Sequence, residues 1–92
     1  MEFEFDERKS ASNKAKHGVD FEEAQALWDD ADAIMVDLPF PDEPRTMVLG
    51  VMDGKHWAAV VTKRGKAIRI ISVRRARKQE VELYEQHKLT DR

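Results

Sequence analysis

The N-terminal third of the chain has the residue spacing of two helices. Asp6 suits the N-cap and Gly18 the C-terminal end of a first helix at about 6–17. A second helix is predicted at 21–29, where a capping box that starts at Asp20 precedes apolar residues at helical spacing. These apolar residues are Phe21, Ala24, Leu27 and Trp28.

The middle of the chain changes to short apolar runs that predict strands. The first is 33–38, and the loop after it, 39–44, holds all three prolines. The runs 45–52 and 56–62 flank an Asp-Gly pair, which is the strongest short-range signal for a hairpin. The run 67–73 predicts a fourth strand, and we expect the strands to form an antiparallel sheet.

A last helix is predicted at about 74–88, because side chains there recur on one helix face with a period of 3.6 residues. The predicted fold class is therefore α+β, with two N-terminal helices, a four-stranded antiparallel sheet and a C-terminal helix. The length of 92 residues predicts one domain, 1–92.

Composition excludes several classes of protein. The sequence has no cysteine, which excludes disulfide scaffolds, thiolate metal sites and cysteine nucleophiles. No histidine pair has the spacing of metal ligands, so neither a metal nor a cofactor is expected. The apolar runs are far shorter than the roughly 20 residues of a membrane span, and no secretory signal is visible. We therefore expect a cytoplasmic protein with no membrane partner.

Charge is divided unequally between the two halves of the chain. Residues 1–44 carry 13 acidic and 4 basic side chains, whereas residues 45–92 carry 5 acidic and 12 basic ones. Between Lys63 and Lys78 the sequence has eight basic residues and no acidic residue. This asymmetry indicates a polyanion or an acidic partner for the second half.

Four of these basic residues crowd the predicted start of the last helix, and they are Arg74, Arg75, Arg77 and Lys78. Cations at a helix N-terminus oppose the helix dipole and cost roughly 0.3–1 kcal/mol each. The same groups suit a phosphate, because free N–H donors and guanidinium groups converge there. We favour phosphate binding over the alternative, a solvated basic patch.

Glu80 lies one turn before Tyr84, on the helix face that is expected to meet the sheet. A buried carboxylate needs a partner. Arg69 is the natural candidate, because it interrupts an apolar strand and is expected to share its face with Ile71 and Val73. A Glu80–Arg69 pair could be structural, catalytic or both.

The histidines give weaker signals. His17 stands in the last turn of the first helix, where the dipole favours a cation, so capping alone explains it and a functional role is the alternative. His56 opens a strand beside a hairpin turn and is expected to be structural or exposed. His87 lies in a terminal helix turn and is expected to have no special role.

Two blocks of sequence are specific in combination. Residues 16–19 read Lys-His-Gly-Val, and residues 69–76 read Arg-Ile-Ile-Ser-Val-Arg-Arg-Ala. With Phe5 and Asp6 before them and Glu80 and Tyr84 after them, they resemble the BrnT-type toxins of bacterial type II toxin–antitoxin systems. The resemblance covers about 5–84.

The resemblance implies a RelE-like ribonuclease toxin fold and a ribonuclease that blocks translation. It also implies a BrnA-type antitoxin with a ribbon-helix-helix part, which masks the toxin and binds DNA, so that the toxin meets DNA only indirectly. A toxin dimer within that complex is left open. The residues implied at the active surface are His17, Arg45, Arg64, Arg69, Arg74, Glu80 and Tyr84.

The chemistry of RNA fits these residue types. RNA carries its own nucleophile, the 2′-OH, so an enzyme needs only to hold the phosphate, stabilise its charge and move protons. We expect metal-independent cleavage in which Arg64, Arg69 and Arg74 bind the scissile phosphate. Either His17 or Glu80 would be the base, and Tyr84 could assist. Further RNA-binding candidates are Arg45, Lys63, Arg75, Arg77 and Lys78.

Two other functions are compatible with the same sequence. A non-catalytic binding module would dock its basic surface on nucleic acid or on an acidic protein, with salt-sensitive binding and no product. A structural subunit would pair its charged faces in a homo-oligomer that persists at high dilution.

Overall fold

A five-stranded mixed sheet forms the centre of the structure, a computed structural model that describes residues 1–90. The strands are β1 (Glu2–Glu4), β2 (Ile34–Leu38), β3 (Arg45–Met52), β4 (Lys55–Arg64) and β5 (Ala67–Arg75). The helical segments are α1 (Glu7–His17), a 3₁₀ helix (Glu23–Asp29) and α2 (Lys78–Thr90). Asp91 and Arg92 lie outside the described residues.

The strands lie in the order β1-β5-β4-β3-β2. Strands β2 to β5 are antiparallel neighbours, whereas β1 pairs with β5 in parallel, with Glu2 opposite Ala67 and Glu4 opposite Arg69. The predicted four-stranded antiparallel sheet is therefore wrong, because β1 is a fifth strand and makes the sheet mixed. Three residues are too few to show a period, and their partner strand lies far along the chain.

The prediction of two N-terminal helices is also wrong, because the second is a 3₁₀ helix and a single α-helix precedes β2 among residues 1–90. The capping box itself is present, since Glu23 N donates to Asp20 Oδ1 at 2.8 Å and Asp20 N donates to Glu23 Oε1 at 3.0 Å. The following bonds close shorter turns, as from Gln25 N to Glu22 O at 3.2 Å. A short segment gains little from α-helix propagation, so tighter 3₁₀ turns can replace it.

The local signals for caps and turns are confirmed. Asp6 Oδ1 accepts from the backbone N–H groups of Arg8 (2.8 Å) and Lys9 (3.1 Å) at the start of α1. Asp53 and Gly54 have φ values of 53° and 73°. Two successive positive φ values are those of a type I′ turn, whose twist matches that of the hairpin strands β3 and β4.

The predicted start of the last helix at residue 74 is wrong, because β5 continues to Arg75 and α2 begins at Lys78. Pairing with β4 keeps this segment extended, with Ala58 opposite Arg74 and Trp57 opposite Arg75. Of the four bases assigned to the helix start, Arg74 and Arg75 therefore belong to a strand.

Side chains alternate between two faces of the sheet. The core face packs against α1 and the 3₁₀ helix and buries most of the large apolar side chains. They include Val48, Ala59, Val61, Ile70 and Val73 from the sheet and Phe21, Ala24 and Leu27 from the segment before it. The opposite side, which we call the α2 face, carries Leu49 and Ala58, and Tyr84 of α2 packs against both.

Buried polar side chains fix α1 to the rest of the chain. Ser10 Oγ accepts from Phe21 N at 2.9 Å, and Asn13 Nδ2 donates to Val19 O at 2.7 Å. Asn13 Oδ1 also accepts from Val73 N at 3.2 Å, beyond the residues of β5 that pair with β1. No helix within residues 1–90 is long and apolar enough to cross a membrane.

Candidate functional site

A β-bulge interrupts the pairing of β4 with β5. Val61 lies opposite Ile70, but its neighbour Val60 lies opposite Ser72, so Ile71 is an extra residue in β5. A bulge of this kind shifts the in-and-out alternation by one position for the rest of the strand. Before Ile71 the odd-numbered side chains of β5 lie on one face of the sheet, and after Ile71 they lie on the other.

The bulge brings three arginines to the α2 face. The odd spacing of Arg69 and Arg74 would place them on opposite sides of an unbroken strand, whereas the register now puts both on the α2 face. Arg64, at the end of β4, lies on the same face. The expectation that Arg69 shares its face with Val73 is wrong for the same reason, because Val73 is fully buried in the core.

Two of these arginines lie beside carboxylates from the acidic half of the chain. Arg64 Nε is 3.2 Å from Glu43 Oε1 in the loop before β3, and Arg69 Nη1 is 3.6 Å from Glu4 Oε1 on β1. Both contacts are single and partly exposed. Exposed ion pairs of this kind contribute little to stability, so a competing anion can replace the carboxylates.

The third arginine is held more firmly. Arg74 Nη1 and Nη2 donate to Glu80 Oε1 and Oε2 at 2.7 and 2.9 Å, in a pair whose side chains are 25% and 15% exposed. Glu80 Oε1 also accepts from Arg77 N at 2.8 Å, which closes the first turn of α2. The prediction that Glu80 pairs with Arg69 is wrong.

These hydrogen bonds set the charge state of Glu80. The bonds from Arg74 hold the pKa of the Glu80 carboxyl below its ordinary value, although burial acts in the opposite direction. A carboxylate stabilised in this way is a weak base. Its negative charge also compensates the cations Arg77 and Lys78 at the start of α2. The arrangement suits Glu80 to holding Arg74 in place.

Tyr84 lies apart from the arginines. It is 2% exposed, and its hydroxyl donates to Asp30 Oδ2 at 2.7 Å. The same oxygen accepts from Val51 N at 2.8 Å. Burial, and then the bond to Asp30, raise the pKa of the Tyr84 hydroxyl, so this group stays protonated. For Asp30, burial raises the pKa, but the bond from Tyr84 and two backbone N–H bonds outweigh it and keep the pKa low.

His56 is a polar residue of the α2 face that was expected from sequence to be structural or exposed. Its Nε2 is 2.7 Å from Glu85 Oε2, and its ring lies edge-on to that of Tyr84 at 5.2 Å. His56 is two residues from Ala58 on β4, and no bulge separates the two, so strict alternation from Ala58 places His56 on this face. No sequence pattern distinguished Glu85, because its contact with His56 depends on where α2 crosses the sheet.

The remaining candidates are distributed over the surface. Arg45 lies on the α2 face, stacks on Phe40 at 4.6 Å and has a buried Nε that finds no hydrogen-bond partner within residues 1–90. Arg75 and Lys63 point to the opposite side, with Arg75 over the Trp57 ring at 5.5 Å. Arg77 and Lys78 are exposed at the start of α2, and His17 is exposed at the end of α1.

Metal binding has no candidate site in the described part of the chain, where no three His, Asp or Glu side chains form a cluster that could hold an ion. The turn after the 3₁₀ helix is rich in aspartate, but Asp30 in it is engaged by Tyr84 and by the backbone of β3. The charged groups of the α2 face are instead suited to binding an anion.

Comparison with known protein families identifies the family of the chain. The family model described as "Ribonuclease toxin, BrnT, of type II toxin-antitoxin system" matches residues 5–80. No curated protein matches the chain. The matched segment includes β2 to β5, the bulge, the three arginines and Glu80. The chain therefore belongs to the BrnT family of ribonuclease toxins of type II toxin–antitoxin systems.

Proposed function

We propose that this chain is an endoribonuclease that cleaves RNA by metal-independent attack of the 2′-OH on the adjacent phosphate. Its activity in the cytoplasm blocks translation. A BrnA-type antitoxin with a ribbon-helix-helix part neutralises it, and the toxin meets DNA only through this antitoxin. The observation that carries the proposal is the presence of Arg64, Arg69 and Arg74 on one face of a sheet.

The arginines would hold the RNA backbone. Arg74 gives two N–H groups to Glu80 and one to the carbonyl of Arg75, at 3.3 Å, which leaves two of its five donors for a phosphate. Arg64 and Arg69 exchange their single carboxylate contacts for phosphate oxygens. Arg45 lies on the same face and adds a further guanidinium group to this surface. Guanidinium groups also stabilise the charge that builds on phosphorus in the transition state.

Cleavage needs one proton removed and one returned. The 2′-oxygen attacks phosphorus as its proton passes to a base, the bond from phosphorus to the 5′-oxygen breaks, and that oxygen takes up a proton. The products are a 2′,3′-cyclic phosphate and a 5′-OH. Of the two bases considered from sequence, Glu80 is engaged by three donors, and His17 makes no described contact with the arginines.

The test is cleavage of labelled RNA by the purified, antitoxin-free chain in EDTA. We expect Arg69→Ala and Arg74→Lys to lower the rate by about 100-fold, the usual scale for removing one transition-state donor. Arg8→Ala is the matched control, because Arg8 is an exposed arginine of α1, away from the α2 face, and it should cleave at the wild-type rate.

Equal activity of Arg69→Ala, Arg74→Lys and wild type would contradict the placement of the phosphate. Intact RNA that is nevertheless bound in a salt-dependent manner would favour a binding module, or a toxin that acts on ribosome-bound mRNA. Repeating the assay with translating ribosomes separates these two.

A further inference from the structure

An imidazole stands next to the firmly held arginine of the α2 face. Ala58 lies opposite Arg74, and Ala76 N donates to His56 O at 3.0 Å, so His56 is the diagonal neighbour of Arg74 on the same face. Diagonal neighbours on one face lie roughly 7–8 Å apart, within reach of long side chains. A phosphate bound by Arg74 therefore has His56 beside it.

We propose that His56 is the general base of the cleavage reaction and that Glu85 positions it. This inference rests on the proposed ribonuclease function and adds a catalytic residue that the sequence analysis did not select. Glu85 accepts from His56 Nε2 at 2.7 Å and so fixes the tautomer in which Nδ1 carries the free lone pair. The His56 side chain is 27% exposed, so a nucleotide can reach it.

Helix α2 supplies the carboxylates for both basic groups. Its first turn places Glu80 on Arg74, and its second places Glu85 on His56. One helix thus sets the position of the phosphate-binding group and of the base relative to each other. A base is efficient only when its geometry is fixed to within a fraction of an ångström, and two anchors on one rigid element provide that.

The other candidates are less suited to taking the proton. Both oxygens of Glu80 are occupied by donors, and the Tyr84 hydroxyl is buried and already donates to Asp30. The groups that face His56 are Glu85 and Tyr84 on α2 and, across the strand pair, Arg74 with its partner Glu80. On β3 the residue opposite His56 is the non-titratable Val51.

In the proposed step His56 Nδ1 takes the proton of the 2′-OH while the 2′-oxygen attacks phosphorus. The electron pair of the breaking bond leaves with the 5′-oxygen, which takes a proton from water. The imidazolium then returns its proton to solvent. A base of this kind must be neutral to act, so the rate should fall on acidification.

The first test is single-turnover cleavage by wild type and His56→Asn across pH 5–8. We expect His56→Asn to lose about 100-fold or more in rate and to lose the fall in rate at acidic pH. His87→Asn, which removes an exposed imidazole from the other end of α2, is the control. A loss of less than tenfold, or an acidic limb that persists in His56→Asn, would overturn the assignment.

The second variant leaves the imidazole in place, so that a folding defect at His56 does not decide the outcome. Glu85→Gln should lower kcat about tenfold with KM unchanged, because Glu85 orients the base and does not bind RNA. Glu82→Gln, an exposed neighbour on α2, is the matched control. Unchanged kcat in Glu85→Gln, or a loss seen only in KM, would contradict the positioning role.

A readout without cleavage separates failure of this inference from failure of the proposed function. A 2′-deoxy oligonucleotide binds but cannot be cut, and it should shift the NMR signals of the His56 ring while leaving those of His87 unchanged. If the wild type cuts neither free RNA nor mRNA on translating ribosomes, the ribonuclease proposal fails. An unmoved His56 ring with bound oligonucleotide overturns the present inference whether or not RNA is cut.

Discussion

One carboxylate, that of Glu80, links the arginines of the α2 face to the stability of the fold. It pairs with Arg74 on β5 and also accepts from the backbone of Arg77, so it connects a strand to the start of the next helix. Its pKa is lowered by the bonds from Arg74. A group with a lowered folded-state pKa contributes stability above its ordinary pKa and loses that contribution as the pH falls through the lowered value.

This linkage gives a prediction for Glu80→Gln. At pH 7 the variant should lose roughly 1.5–3 kcal/mol of unfolding free energy, the scale of hydrogen bonds to a charged group. The difference from wild type should shrink as the pH falls below the ordinary glutamate pKa of 4.5, where the unfolded wild-type chain begins to take up a proton. It should disappear once the pH lies below the lowered pKa of the folded chain. Urea unfolding at pH 7 and pH 3 measures both. Glu82→Gln is the control, and an equal loss at the two pH values would contradict the argument.

Residues with strong local signals were predictable, and those defined by tertiary pairing were not. The cap at Asp6, the end of α1 at Gly18 with its φ of 83°, and the Asp-Gly turn follow from rules that act over a few residues. Arg69 and Arg74 were assigned to one surface only through their charge and the family resemblance, and the strand register places both on the α2 face. Glu4 reaches Arg69 through the pairing of β1 with β5, and Glu80 reaches Arg74 through the bulge and the crossing of α2 over the sheet. No local pattern contains these features.

At the scale of elements, the bulge at Ile71 decides which side chains the sheet presents. Period-2 reasoning over 67–75 places Arg69 with Val73, whereas the extra residue moves Val73 into the core and Arg74 to the α2 face. A bulge inserts no recognisable residue type here, so alternation alone could not locate it. The strand itself was predicted, but the faces on which its side chains lie after Ile71 were not.

Helix α1 supplies a hydrogen-bond partner for the edge of β5 where this strand extends past its pairing with β1. Asn13 binds Val73 N and Val19 O at once, and it is itself 7% exposed. Asn13→Ala would leave two buried backbone groups without partners, and each such group costs about 1–3 kcal/mol. We therefore predict a loss of about 2–4 kcal/mol in urea unfolding, with faster hydrogen exchange at the Val73 amide.

Ser12→Ala, one residue away on the exposed side of α1, is the control for helix propensity and should change stability by less than about 0.5 kcal/mol. If Asn13→Ala matched this control, α1 would be held by apolar packing alone.

At the scale of the whole molecule, the opposite charges of the two halves of the chain meet on one surface. Glu4 and Glu43 come from the acidic half and lie on Arg69 and Arg64 of the basic half. The sequence predicted the asymmetry but not this contact, because β1 and the loop after β2 reach the arginines only through the sheet order. Under the proposed function, these carboxylates compete with RNA phosphates for Arg64 and Arg69.

This predicts that removing a blocking carboxylate strengthens RNA binding. Glu43→Gln should bind an uncleavable 2′-deoxy oligonucleotide about 1.4- to fivefold more tightly, corresponding to an exposed pair of about 0.2–1 kcal/mol. Fluorescence anisotropy at several salt concentrations measures it, and the gain should shrink at high salt. Asp42→Asn, the exposed neighbour, changes net charge equally without freeing Arg64. An equal gain in both variants would assign the effect to net charge.

The parallel pairing of β1 with β5 also has a consequence for how the protein is made. Residues 2–4 are translated before residues 67–69, so β1 has no strand to join until β5 follows it. Glu4 therefore reaches Arg69 only after β5 has been made, and the arginine surface is completed and partly covered in the same event. A nascent chain that is still short of β5 has neither the surface nor its cover.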